Sequence, residues 1–189
     1  MNLNRISVFA LLVLAATVAL AGDKNPVVGG KEMLPTNNIL QNLSLSADHS
    51  TLVKAIKAAG LEKMLEGPGP ITIFAPTNQA FAEMPEGLFD KLMKPENKEE
   101  LKKVLLYNML SGAWSTDELK KKIQASKNGV AEVTTMEGDK LKVADHNHMH
   151  LMIRSEDDDM GMFHIWDIRS SNGLIHVVDN VMQLKELDQ

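Results

Sequence analysis

Hydrophobic positions along this chain change period near residue 129. Before it they recur at helical spacing around a single β-branched run, and after it they alternate. Asp48 or Ser50 can cap a helix whose apolar side is Leu52, Val53, Ile56 and Ala59, stopped by Gly60. A shorter helical piece over 61–66 ends at Gly67-Pro68-Gly69-Pro70, the strongest break in the chain. Residues 71–75 are β-branched and aromatic between Pro70 and Pro76, which predicts a buried strand. Thr77 or Asn78 then caps a short helix with Phe81 and Met84 inside, and 88–93 adds a turn or two before Pro95. Residues 97–109 form the clearest amphipathic helix, with Leu101, Val104, Leu105 and Asn108 on one side. Ser115-Thr116-Asp117-Glu118 is a capping box that starts a helix through Leu119 and Ile123.

In the second half, strands over 130–136 and 140–143 flank a hairpin turn at Glu137-Gly138-Asp139. Residues 148–154, 163–168 and 174–179 read as three further strands. Helices first and sheet second predict one α+β domain. The N-terminus differs from the rest. Arg5, an apolar run over 6–14 and Ala19-Leu20-Ala21 before Gly22 make a secretory signal with a small-x-small cleavage site, the alternative being an uncleaved anchor. The expected organisation is a signal over 1–21, an irregular extension over 22–36, the domain over 37–185 and a tail over 186–189. Export places the protein in the periplasm or outside the cell.

Composition narrows the function. The chain has 189 residues, 44% of them hydrophobic, a formal net charge of -5 and no cysteine; its mean hydropathy is -0.14. No basic excess exists to neutralise phosphates, so a general nucleic-acid binder is excluded. Disulfide scaffolds, zinc-thiolate sites and cysteine catalysis are excluded too. No zinc-protease helix, Walker loop, nucleophile elbow or dinucleotide fingerprint is present. The two prolines of Gly67-Pro68-Gly69-Pro70 remove the donors that a phosphate cradle needs.

Three stretches together resemble the fasciclin domain family. Ile71-Thr72-Ile73-Phe74-Ala75-Pro76-Thr77-Asn78-Gln79-Ala80-Phe81 is similar to its first signature. Leu105-Leu106-Tyr107-Asn108-Met109-Leu110-Ser111-Gly112 resembles the central tyrosine-histidine motif, and Asn172-Gly173-Leu174-Ile175-His176-Val177-Val178-Asp179-Asn180-Val181 the closing one. The lead-in from Val27 to Pro35 resembles the extension of secreted bacterial members. The resemblance implies a twisted β wedge packed with helices, used in adhesion and matrix contacts to a protein or polysaccharide, and no enzyme. It also implies a partner-binding set: Tyr107, Asn108 and the segment Asp117, Glu118, Leu119. This chain departs from the motif at Asn108, where the family has histidine; an asparagine keeps a local hydrogen bond but carries no proton. Trp114, beside Ser115, reads equally as a ligand contact or as packing.

Histidines are unevenly spread. His146, His148, His150 and His164 fall close together, and on one strand the first three would share a face. Imidazoles at that spacing suit Cu or Zn, with Asp145 or Met152 as a fourth ligand. The competing reading is a polar face on an edge hairpin with methionines filling core. A calcium loop starting at Glu156 fails, because Met160 offers no oxygen at the fifth position. His176, alone in an apolar strand, reads as a core histidine held by hydrogen bonds. Asn42-Leu43-Ser44 matches a glycosylation sequon.

Overall fold

The computed structural model describes residues 24–146, 150–156 and 159–183. The expected signal over 1–21, the tail over 186–189, His148, Met149 and the Asp157-Asp158 pair lie outside the described residues. Helices dominate the first half. They are α1 (Ile39–Leu45), α2 (Ser50–Ala59), α3 (Glu62–Glu66), α4 (Asn78–Ala82), α5 (Leu88–Leu92), α6 (Lys98–Tyr107) and α7 (Thr116–Ala125). Strands β1 (Val27–Val28) and β2 (Lys31–Glu32) form a small hairpin in the lead-in, so that segment is not wholly irregular. Strands β3 (Ile71–Pro76) and β4 (Met109–Ser111) sit among the helices. Then follow β5 (Val130–Thr134), β6 (Lys140–His146), β7 (His150–Arg154), β8 (Met160–Ser170) and β9 (Gly173–Val178).

Local chemistry accounts for most boundaries. Gly60 ends α2 in the left-handed conformation, and Ser115 with Glu118 completes the expected capping box of α7. The start of α2 departs from expectation. Neither Asp48 nor Ser50 caps it; Asn78, distant in sequence, accepts hydrogen bonds from Thr51 N (2.8 Å) and Ser50 Oγ (3.3 Å). Its amide donates to Ala47 O at 2.8 Å, so one side chain ties the helix start to the end of β3. Helix α6 stops at Tyr107, two residues earlier than its pattern suggests, because Met109 pairs with Ile73 across β3–β4.

Among the described residues the larger sheet has seven strands in the order β4-β3-β9-β8-β7-β6-β5. Its only parallel pair is β3–β9, in register from Ile71↔Gly173 to Pro76↔Val178. The sheet curls until its edges meet: Leu110 bridges Thr135, and Met136 N donates to Met109 O at 2.8 Å. Two cores result. Helices α1 to α6 pack over one face of β3 and β9 around Ile39, Leu52, Ile56, Leu101 and Ile175. The inside of the curl, closed by Leu119 and Ile123 of α7, holds Phe74, Tyr107, Leu110, Val133, Leu141, Ile153 and Phe163. Burying each large apolar side chain is worth roughly 1.5–3 kcal/mol against leaving it exposed. No helix among the described residues is long and apolar enough to cross a membrane.

Candidate interaction surface and histidine patch

The loop from β4 into α7 brings Trp114 to the surface beside two carboxylates. Asp117 and Glu118 are exposed on the first turn of α7, where the helix dipole favours negative charge. Glu118 Oε2 accepts from Ser115 N at 2.9 Å and Ser115 Oγ at 3.1 Å. The indole of Trp114 is partly exposed; its Nε1 donates to Ser111 O at 2.9 Å, and Lys122 Nζ lies 5.7 Å from the ring centroid. A depression of about 290 Å³ is lined by Ser111, Gly112, Ala113, Trp114 and Glu118. It adjoins a second of about 500 Å³, which runs past Gly112 to Pro68, Gly69 and Pro70.

Buried polar groups hold this loop from beneath. Thr72 Oγ1 donates to Gly112 O at 2.7 Å and accepts from Trp114 N at 2.8 Å. His176 is fully buried between Phe74 and Phe163, with ring centroids 5.9 and 5.0 Å away. Its Nδ1 accepts from Asp167 N at 3.2 Å, which leaves Nε2 to donate to Trp114 O at 2.8 Å. Burial holds the imidazole below its ordinary pKa, so it is neutral here. Asp167 accepts from Thr116 N at 2.8 Å and from Thr116 Oγ1, which anchors the start of α7 to β8. Its positive φ of 54° sits in the irregular stretch of the β8–β9 ladder. Sequence reasoning found His176 as a core histidine but missed Thr72, Thr116 and Asp167. The available signal was the acid at 167 inside an apolar strand pattern.

Three residues of the expected partner-binding set lie inside the molecule. Tyr107, Asn108 and Leu119 are buried, so none can present its side chain to a partner. Tyr107 OH donates to Lys140 O at 3.1 Å. Asn108 grips the backbone of Met182 on both sides, donating to Met182 O at 2.9 Å and accepting from Met182 N at 3.1 Å, and also donates to Val104 O at 2.8 Å. An imidazole has two ring nitrogens and cannot match the three hydrogen bonds that this amide makes. Trp114, Asp117 and Glu118 are the members that reach the surface. Asn42 is also buried, with its amide bonded to Leu34, Asn37 and Ser170, so the sequon does not present its nitrogen for glycosylation.

The histidine geometry also changes. His146 and His150 face each other across the antiparallel β6–β7 pair rather than following one another along one strand. Asp145 pairs opposite the buried Leu151 and so belongs to the other face of the sheet from His146. Met152 shares the face of His150. His164 turns to Asp179, 3.1 Å away. Among the described residues no three His, Asp or Glu side chains gather as a metal site.

Comparison with known proteins agrees with this architecture. The family model for the fasciclin domain matches residues 47–184. Protein sll1483 of Synechocystis is 34% identical over 170 residues, covering 88% of this chain and 86% of its own length. The transforming growth factor-beta-induced protein ig-h3 of Sus scrofa is 29% identical over 79% of this chain, which spans only 20% of that protein. Among solved structures, a FAS1 domain pair from the insect cell adhesion molecule Fasciclin I matches with a TM-score of 0.71 at 17% identity. That match covers 80% of this chain and 52% of that one.

Proposed function

Because the chain belongs to the fasciclin domain family, we propose that it is a secreted or periplasmic, non-catalytic interaction module that contacts a protein or polysaccharide at the cell surface or matrix. The observation that carries this reading is the support beneath Trp114. Its peptide N–H and C=O are both held by buried groups, Thr72 and His176, while the indole stays partly exposed. A preorganised aromatic flanked by carboxylates loses little conformational freedom on binding. The indole face suits an apolar side chain or a sugar ring, and Asp117 and Glu118 suit lysine, arginine or hydroxyl groups. The depression beside Trp114 is shallow and open, which fits a macromolecular contact better than an enclosed substrate.

The test is retention of a partner from the envelope or extracellular fraction of the producing cells. The double variant D117A/E118A keeps the fold, apart from a weakened cap worth about 1 kcal/mol, and retains at least tenfold less partner than wild type. Equal retention would remove this face from the account. Export is tested separately: the intact mass of the exported protein starts at Gly22 or within a few residues of it.

A further inference from the structure

We propose that the outer face of β6, β7 and β8 carries a site for a soft monovalent metal ion, Cu(I), built from His146, His150, Met152 and Met162. The register places these side chains in two adjoining rows of one face. His146 pairs with His150, and Met152 pairs with Ala144 on one side and Met162 on the other. Leu141, Val143, Leu151, Ile153, Gly161 and Phe163 alternate with them and are buried, so all four ligands lie on the side away from the core. Same-face partners on adjacent strands have Cβ atoms about 4.5–5.5 Å apart, and diagonal neighbours stay within reach of long side chains. Ala144, opposite Met152, is the small residue of the row.

Ligand chemistry selects the ion. Two imidazoles and two thioethers make a neutral set, and the soft thioethers are what favour Cu(I) over Zn or harder dications. Among the described residues no third His, Asp or Glu joins the pair, so the third N or O ligand of a zinc site is lacking. Asp145 belongs to the opposite face, and His164 is engaged by Asp179. The exposed methionine of this face, Met160, accepts a contact from Arg154 Nη2 at 3.8 Å and stands outside the set. Trp166 meets the ring of His150 edge-on, 5.9 Å between centroids at 88°. That contact orients the imidazole, and it places an indole next to the metal.

The chain has two tryptophans, so W114F leaves Trp166 as the sole indole reporter. Titration with Ag(I) in chloride-free buffer, as a redox-inert probe, and with Cu(I) under anaerobic reductant quenches Trp166 with saturation at one equivalent. In the same background H150A and M152A/M162A each weaken binding at least tenfold, whereas H164A and M160A leave it unchanged. Native mass spectrometry of wild type, which needs no variant to fold, shows one bound Ag(I) per chain. Absence of a one-to-one adduct in wild type would overturn the site, as would binding insensitive to H150A and M152A/M162A. Zn(II) bound as tightly as Ag(I) would overturn the soft-metal assignment.

Discussion

Asn108 shows how a single amide can fasten a segment distant in sequence. Its side chain pairs with the backbone N–H and C=O of Met182 and with Val104 O, and its own backbone carbonyl accepts from Phe74 N at 2.9 Å. N108A would leave buried partners unsatisfied and cost about 3 kcal/mol. Hydrogen exchange in this variant should speed up first at 181–183 and around β4. Unchanged exchange there would deny the clamp. Two buried histidines set a pH dependence. Burial lowers the pKa of both His49 and His176. His49 Nδ1 bonds Ser46 Oγ at 2.8 Å, whereas its buried Nε2 faces the Ala75 carbonyl without a well-formed hydrogen bond. Above about pH 6.5, the unfolded value, both rings are neutral in both states and stability is complete. As pH falls below it, the unfolded chain takes up protons that the folded chain refuses, so stability declines until the depressed folded values are reached. The melting temperature should therefore be level above pH 7 and fall between pH 6.5 and 5, with a shallower slope in H49Q. A flat profile in wild type down to pH 5 would contradict this.

At the scale of elements, Gly173 is the tightest backbone approach. Its φ is 153°, and a Cβ there would stand 1.8 Å from Ile71 O across the parallel β3–β9 pair. Neighbouring Asn172 donates to Leu65 O and Gly67 O and accepts from Ile39 N, joining α1, α3 and β9 at one point. G173A has no flexible side chain to displace and should lower stability by several kcal/mol, read as loss of cooperative unfolding or a much lower denaturant midpoint. A midpoint within error of wild type would refute the close approach. Elements whose signals are local were legible in the sequence: the capping box at Ser115, the stop at Gly60, and the alternation over 130–143. Helix α1 was missed although Asn38 and Gln41 form a capping box, because the Gly- and Pro-rich lead-in masks it. Strand β4 has three residues directly after a helix, and only its long-range pairing with β3 defines it. The pairing of His146 with His150 was hidden because the stretch from one to the other contains no Gly or Pro.

At the scale of the whole molecule, the curl of the sheet decides which residues can act. Closing β4 against Thr135 encloses Tyr107 and Leu119 and leaves Trp114, Asp117 and Glu118 outside. The family resemblance pointed to this segment, but it could not separate the residues that build the segment from those that face outward. That division depends on where α7 lies over the sheet, which Asp167 and Thr116 set from 51 residues apart. The most direct measurement is the affinity of the protein for a partner captured as above, compared among wild type, W114A/D117A/E118A and E99A/E100A. The last variant removes equal negative charge from exposed positions on α6. The account predicts at least a tenfold loss for the triple variant alone, with melting temperatures that keep every protein folded during the assay. Equal affinity of wild type and the triple variant, or an equal loss in E99A/E100A, would contradict it.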